Sequence, residues 1–163
     1  MIRLSLQEIC EHSPYEVIYV EGDLDFYTDT AVHYRISFTQ EDSLGGCDTY
    51  QIIIRKVEEV SSFYDPKVEK TILSIILEYF RLNPNALLYI CDTSDHREEA
   101  RNRLFLNWFK HHDGKNRFHI RTAQANVEGE GFYAAVIVER SNLKAADAIA
   151  DFEETAAVLT QDK

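Results

Sequence analysis

Residues 65–92 read DPKVEKTILSIILEYFRLNPNALLYICD, and this stretch decides the fold. Asp65 is placed to cap a helix, and Pro66 takes the first helical position, where its missing N–H costs nothing. Val68, Ile72, Ile75, Ile76, Tyr79 and Phe80 then fall on one stripe at helical spacing. Asn83-Pro84 ends the helix, because a residue before proline is pushed out of the α region. The apolar run Ala86 to Cys91 has the length of a strand buried on both faces, with Cys91 as a small core residue.

Upstream, the pattern is that of strands. Glu16 to Glu21 reads as a strand bounded by Pro14 and Gly22. A meander follows: a short strand from Asp25 to Thr28, a turn at Asp29-Thr30, and an alternating strand from Val32 to Phe38. Gly45-Gly46 closes the next loop before the β-branched strand Tyr50 to Ile54. Downstream, a second helix begins near Thr93, Ser94 or Asp95 and runs to about His112. Its stripe is Ala100, Leu104, Phe105, Trp108 and Phe109, and Asp113-Gly114 stops it. Arg117 to Val127 and Phe132 to Arg140 form a hairpin through Glu128-Gly129-Glu130-Gly131. Lys144 to Leu159 is a closing helix capped by Ser141 or Asn142.

Helical crossovers on either side of 86–91 imply parallel pairing around that strand, with antiparallel hairpins beyond. The expected fold is α+β: a mixed, mostly antiparallel sheet with a central parallel pair and helices on both faces. With no linker or repeat, residues 1–163 read as a single domain with an irregular lead-in over 1–23 and a C-terminal helix and tail over 144–163.

Composition narrows the function. The 17 Lys and Arg against 28 Asp and Glu leave a net charge of −11, which argues against nucleic acid and anionic membranes as partners. No apolar run reaches the roughly 18 residues that cross a bilayer. Charge enters too early after Met1 for a signal peptide, and three widely spaced cysteines form no framework. The expectation is a reduced, cytoplasmic protein.

Two resemblances follow. The motifs Asp65-x-x-Val68-x-x-Thr71-Ile72 and Cys91-Asp92-x-x-Asp95-x-Arg97, with Arg101-x-x-Leu104-Phe105-x-x-Trp108, resemble a bacterial family annotated only as a domain of unknown function. The likeness covers about residues 25–140 and implies no activity. The element order is also similar to the core of the Gcn5-related N-acetyltransferase superfamily. That resemblance implies an acetyltransferase-like scaffold, with acetyl-CoA between splayed parallel strands and its pyrophosphate on an [RQ]-x-x-G-x-[GA] loop. The corresponding residues 60–68 contain no glycine, place the Asp65 carboxylate where the pyrophosphate would lie, and lose a donor at Pro66. No tyrosine between Thr93 and Asp113 stands in for the superfamily's usual general acid. Lys67 and Lys70 are the only compensation in this acyl-CoA alternative.

The richest polar cluster is Asp92 to Glu99, just past the end of a central strand, where such sheets place binding sites. Asp92, Asp95, His96 and Glu99 offer ligand atoms that a metal-dependent hydrolase would use. The same residue types cap a helix and oppose its dipole, and that structural reading outweighs the metal. Counted from Leu104, Arg97 and Arg101 lie about 20° and 60° into the apolar stripe. A buried arginine needs a carboxylate, and Asp92 is the natural one. The functional reading is that Arg97 and Arg101 receive an anionic ligand there.

From Arg97 to Arg121 seven Lys or Arg face three acids, whereas residues 1–66 hold thirteen acids and four bases. This asymmetry reads first as a solvated surface paired with the acidic part of the same molecule, and second as a local phosphate-binding patch.

The chain has no P-loop, nucleophile elbow or dinucleotide fingerprint. The reading is therefore a non-catalytic binding or regulatory protein with no cofactor and no metal. Its ligand residues are Asp92, Asp95, His96, Arg97 and Arg101, and its partner is another protein, a small molecule or a second copy in a homodimer. Asp92→Asn is expected to lower stability in urea by about 3 kcal/mol; an unchanged midpoint would refute the buried pair.

Overall fold

The computed structural model describes residues 2–58, 60, 65–92, 106–107, 109–111 and 116–161. In chain order these form α1 (Leu6–His12), β1 (Ile18–Val20), β2 (Asp23–Tyr27), β3 (His33–Leu44), β4 (Cys47–Lys56), α2 (Pro66–Leu82), β5 (Ala86–Asp92), β6 (Phe118–Val127), β7 (Glu130–Glu139) and α3 (Ala145–Gln161). Leu106, Asn107 and Phe109 to His111 are also helical, within the second helix expected from the sequence.

The strands make a mixed sheet of order β1-β2-β3-β4-β5-β7-β6, in which β4 and β5 are the single parallel pair. The α+β class and the central parallel pair stand as the sequence implied. The pairing beyond β5 does not. A second parallel neighbour was expected there, but β7 lies between β5 and β6 and runs antiparallel to both. Polarity explains the order. Ala135 to Val138 of β7 are fully buried, whereas β6 carries His119, Arg121, Thr122 and Gln124. The apolar strand takes the interior slot, and the strand that can tolerate water takes the edge.

Contacts group the chain into two compact units. One holds residues 1–39 and 52–84, the other 40–51 and 85–163. In the first, α2 begins and ends where its sequence indicates. The Asp65 carboxylate accepts the Lys67 N–H at 2.9 Å, Pro66 opens the helix, and the Asn83 N–H returns to the Tyr79 carbonyl at 2.9 Å. Ile72, Ile75, Ile76 and Tyr79 are the buried stripe, and Tyr79 stacks on Phe38 with ring centroids 5.3 Å apart. The lead-in is not irregular, because it contains α1. The Ser5 hydroxyl accepts the Glu8 N–H at 3.3 Å to cap that helix. Glu78 of α2 accepts the Ser5 N–H at 2.7 Å, and the Asn83 side chain donates to the Arg3 carbonyl at 3.0 Å. Ser5-x-x-Glu8 is a capping-box spacing, the signal that would have found this helix.

In the second unit, Cys47, Ala86, Val136, Ala148 and Phe152 form the core. Successive side chains of a strand point to opposite faces. Arg121 and Ala123 of β6 lie on the face carrying α3, while Phe118 points the other way and packs edge-on against Phe109, centroids 5.0 Å apart. Helical residues therefore cover both faces of this part of the sheet. Within β5, Ala86 and Leu87 are fully buried, but Ile90 is 38% exposed, so the run is not enclosed throughout as expected. The β6–β7 hairpin closes through Glu128 and Gly129, with φ of 54° and 84°, the double positive φ of a primed two-residue turn. Asn142, one of the two residues expected to cap α3, accepts the Lys144 N–H at 2.9 Å in the turn that precedes the helix.

The Gly45-Gly46 turn joins β3 to β4 with φ of 56° and 78°. Both strands run further than their apolar cores suggested, because the polar residues Thr39 to Ser43 continue β3. The turn docks on α3. The Gly45 N–H donates to the Asp151 carboxylate at 2.8 Å, and Lys144 Nζ donates to the Gly46 carbonyl at 2.8 Å. A Cβ on Gly45 would lie 2.3 Å from the Asp147 carbonyl carbon, whereas one on Gly46 meets open space. Gly45→Ala should therefore cost about 3 kcal/mol, from overpacking plus left-handed strain, and Gly46→Ala only about 1–2 kcal/mol. Equal losses in urea denaturation would remove the docking as the cause.

Candidate functional site

The entry to α2 is the place where the acetyltransferase resemblance would seat a pyrophosphate. Here one carboxylate does two jobs. Asp65 Oδ1 caps the helix, and Oδ2 accepts the Tyr15 hydroxyl proton. That hydroxyl accepts the Asp29 N–H at 3.3 Å. Burial and then the Asp65 bond raise the Tyr15 pKa above its ordinary value, so the phenol stays protonated and keeps donating. Lys67 Nζ pairs with Asp29 Oδ2 at 2.9 Å and lies 5.7 Å from the Tyr15 ring centre. Thr71 turns its hydroxyl to the Lys67 carbonyl at 2.7 Å and accepts from Ser13 at 3.2 Å. Two aspartates and a phenol thus occupy the bend, and Lys67 is matched to one of them. Lys70, the second residue of the acyl-CoA alternative, is exposed on the first turns of α2.

A second polar centre was not singled out from the sequence. Asp25 is 1% exposed in the middle of β2. Arg35, directly opposite on β3, donates Nε to Oδ1 and Nη2 to Oδ2, both at 2.8 Å. His33 Nε2 adds a contact to Oδ2 at 2.6 Å, and its ring stacks on Tyr27 with centroids 4.3 Å apart. The bidentate fork satisfies the carboxylate's strongest acceptor directions. The Arg35 bond holds the Asp25 carboxyl below its ordinary pKa, overcoming the opposing effect of burial. The alternation of β2 and β3 was legible, but the register that places Arg35 opposite Asp25 was not.

Of the expected ligand residues, Asp92 ends β5, its backbone paired with Phe132 of β7. The side chains of Cys91 and Asp92 lie outside the described residues, as do Asp95, His96, Arg97, Glu99 and Arg101. On α1, the ligand atoms of Glu8, Glu11 and His12 come within 4.8 Å of one another. They follow from i, i+3, i+4 spacing on an exposed helix of seven residues. From the basic stretch, Arg117 pairs with Glu139 at 2.9 Å, a residue of the neighbouring strand and not of the acidic residues 1–66.

Residues 64–154, more than half of the chain, match the model of a family described as a family of unknown function, DUF6169. No curated protein and no solved structure matches. Among the described residues no helix is long and apolar enough to cross a membrane.

Removing the Asp25 charge tests the buried centre. Asp25→Asn should lower stability near neutral pH by about 2–4 kcal/mol. Because the folded carboxyl titrates below its ordinary value of 3.8, its contribution is complete above that pH and is lost as pH falls through the lower folded value. The variant should therefore lose stability less steeply than the wild type on acidification below pH 3.8. Parallel acid-denaturation curves would show that Arg35 does not hold the charge.

Proposed function

For a chain that belongs to the DUF6169 family of unknown function, we propose a non-catalytic binding or regulatory role, carried by one domain of acetyltransferase-like order. The observation that supports this most is the closure of the α2 entry. Asp65 and Tyr15 hold each other, and Asp29 neutralises Lys67. A cofactor pyrophosphate approaching that bend would meet two carboxylates and would have to displace an ion pair for a single ammonium. The buried Asp25 centre is closed in the same way, with its acceptors taken by Arg35 and His33. General acid–base work asks for a group with a free valence toward substrate. These centres spend theirs on one another.

The binding mouth in this proposal is the region following β5. Asp92, Asp95, His96, Arg97 and Arg101 gather there in sequence, at the C-terminal end of a strand in the parallel pair. Its partner is a protein or an anionic small molecule, and a homodimer is compatible with the role. The site is proposed to work without metal or cofactor, in a cytoplasmic setting. β3 and β4 supply residues to both compact units, so the chain is read as one folding domain.

Thermal melting tests the proposal against its rivals. A single transition is expected, unmoved by acetyl-CoA and by chelators. A stabilisation of several degrees by acetyl-CoA that Lys67→Glu abolishes would establish the acyltransferase instead. Loss of stability on chelation would favour the metal-dependent hydrolase.

A further inference from the structure

The open end of the β6–β7 hairpin, opposite its turn, gathers cations in an acidic chain. The Arg140 N–H bonds the Arg117 carbonyl at 2.9 Å, which places Arg140 beside the start of β6. Arg140 Nη1 lies 3.2 Å from His119 Nδ1, and its Nη2 lies 3.1 Å from Asn116 Oδ1. Both acceptors are uncharged. Elsewhere, Arg35, Arg81 and Arg117 each have a carboxylate oxygen within 3.1 Å. Arg121, two residues from His119 along β6, has its nearest carboxylate contact at 3.9 Å, to Glu153 of α3. Among the described residues, Arg140 has no ion-pair partner, although the chain carries 28 acids.

A guanidinium can only donate, so His119 Nδ1 must be the acceptor and the ring proton sits on Nε2. His119 is therefore neutral, consistent with burial and the positive charges of Arg140 and Arg121 lowering its pKa. The charged groups around this ring are Arg140 at the end of β7, Arg117 and Arg121 on β6, Glu139 engaged by Arg117, and Glu153 of α3 facing Arg121. Two guanidiniums thus bring positive charge to bear on one imidazole, and a protonated ring would present a second donor at the Nδ1 edge that Arg140 occupies.

We propose that Arg140, His119 and Arg121 form a binding site for a phosphate monoester group. This rests on the reading of the chain as a binding domain, and it names a ligand class for it. A planar carboxylate is satisfied by one arginine fork. A phosphate has oxygens enough to accept from both guanidiniums and from the ring, and its double negative charge matches two cations. The net charge of the rest of the chain repels anions, so the attraction is local and needs this arrangement. Bound phosphate also offsets the positive charge that keeps His119 neutral. Binding of the dianion and protonation of His119 are therefore linked, each favouring the other, above the pH of about 6 at which a phosphate monoester takes up its own second proton.

The test follows the His119 ring by NMR through a pH titration, in inorganic phosphate and in chloride of equal ionic strength. Phosphate should raise the midpoint by about one unit, which corresponds to about tenfold tighter binding by the protonated form. Arg140→Gln and Arg121→Gln should each weaken phosphate binding about tenfold or more, whereas Arg117→Gln, whose partner is Glu139, should change it less than about twofold. Stronger binding of a phosphoserine peptide than of free phosphoserine would assign the group to a protein partner, and equal binding would assign it to a small molecule. A midpoint that phosphate does not move, or an equal loss in Arg117→Gln, would overturn the site. That result would leave the binding-domain reading to the melting experiment, which does not involve these residues.

Discussion

The carboxylate of Asp65 sets the terms for the helix on which the first unit is built. A helix start exposes N–H groups and the positive end of a dipole, and some acceptor must meet them. Asp65 does so with one oxygen and uses the other to hold Tyr15, so the cap of α2 is also a long-range tie to the segment before β1. The same geometry decides what the bend cannot do. A helix N-terminus receives a phosphate only if its donors are free and its surroundings are not already anionic. Here the donor at Lys67 is satisfied, Pro66 has none, and Asp29 stands nearby with its own lysine.

Pairing of charge is the wider pattern. Asp25, taken out of water, is held by a bidentate arginine on the facing strand, and Glu78 of α2 by Arg81 and the Ser5 N–H. An unmatched buried carboxylate would cost several kcal/mol, so these partners are requirements of the fold and not spare chemistry. Against that background, the end of the β6–β7 hairpin differs in kind. Its arginine rests on a neutral ring and an amide, a contact that a stronger acceptor can replace.

Much of the architecture was legible because its signals are local. The Asp65-Pro66 start, the Asn83-Pro84 stop and the Gly45-Gly46 turn each act through backbone groups within a few residues, whereas Glu130 and Gly131, expected in the hairpin turn, pair within β7. Where signals were local but overlooked, as in Ser5-x-x-Glu8 ahead of α1, the miss lay in the reading. The extra length of β3 through Thr39 to Ser43 was different. Those polar residues carry no strand pattern, and their conformation is imposed by sheet pairing. The candidate site was less legible than the fold, since the Asp25–Arg35 and Arg140–His119 contacts join residues whose separation in sequence carries no motif.

The amino-acid order alone determined the helices, their caps, the tight turns, the alternation of the strands and the acidic balance, because each depends on short-range sterics, hydrogen bonding or a simple count. Only the tertiary structure decided that β7 enters between β5 and β6, that Arg35 meets Asp25, and that Arg140 settles on His119. Those outcomes depend on strand order and register. Both are settled by which apolar surfaces can be buried together across the whole chain, a competition that no local stretch records.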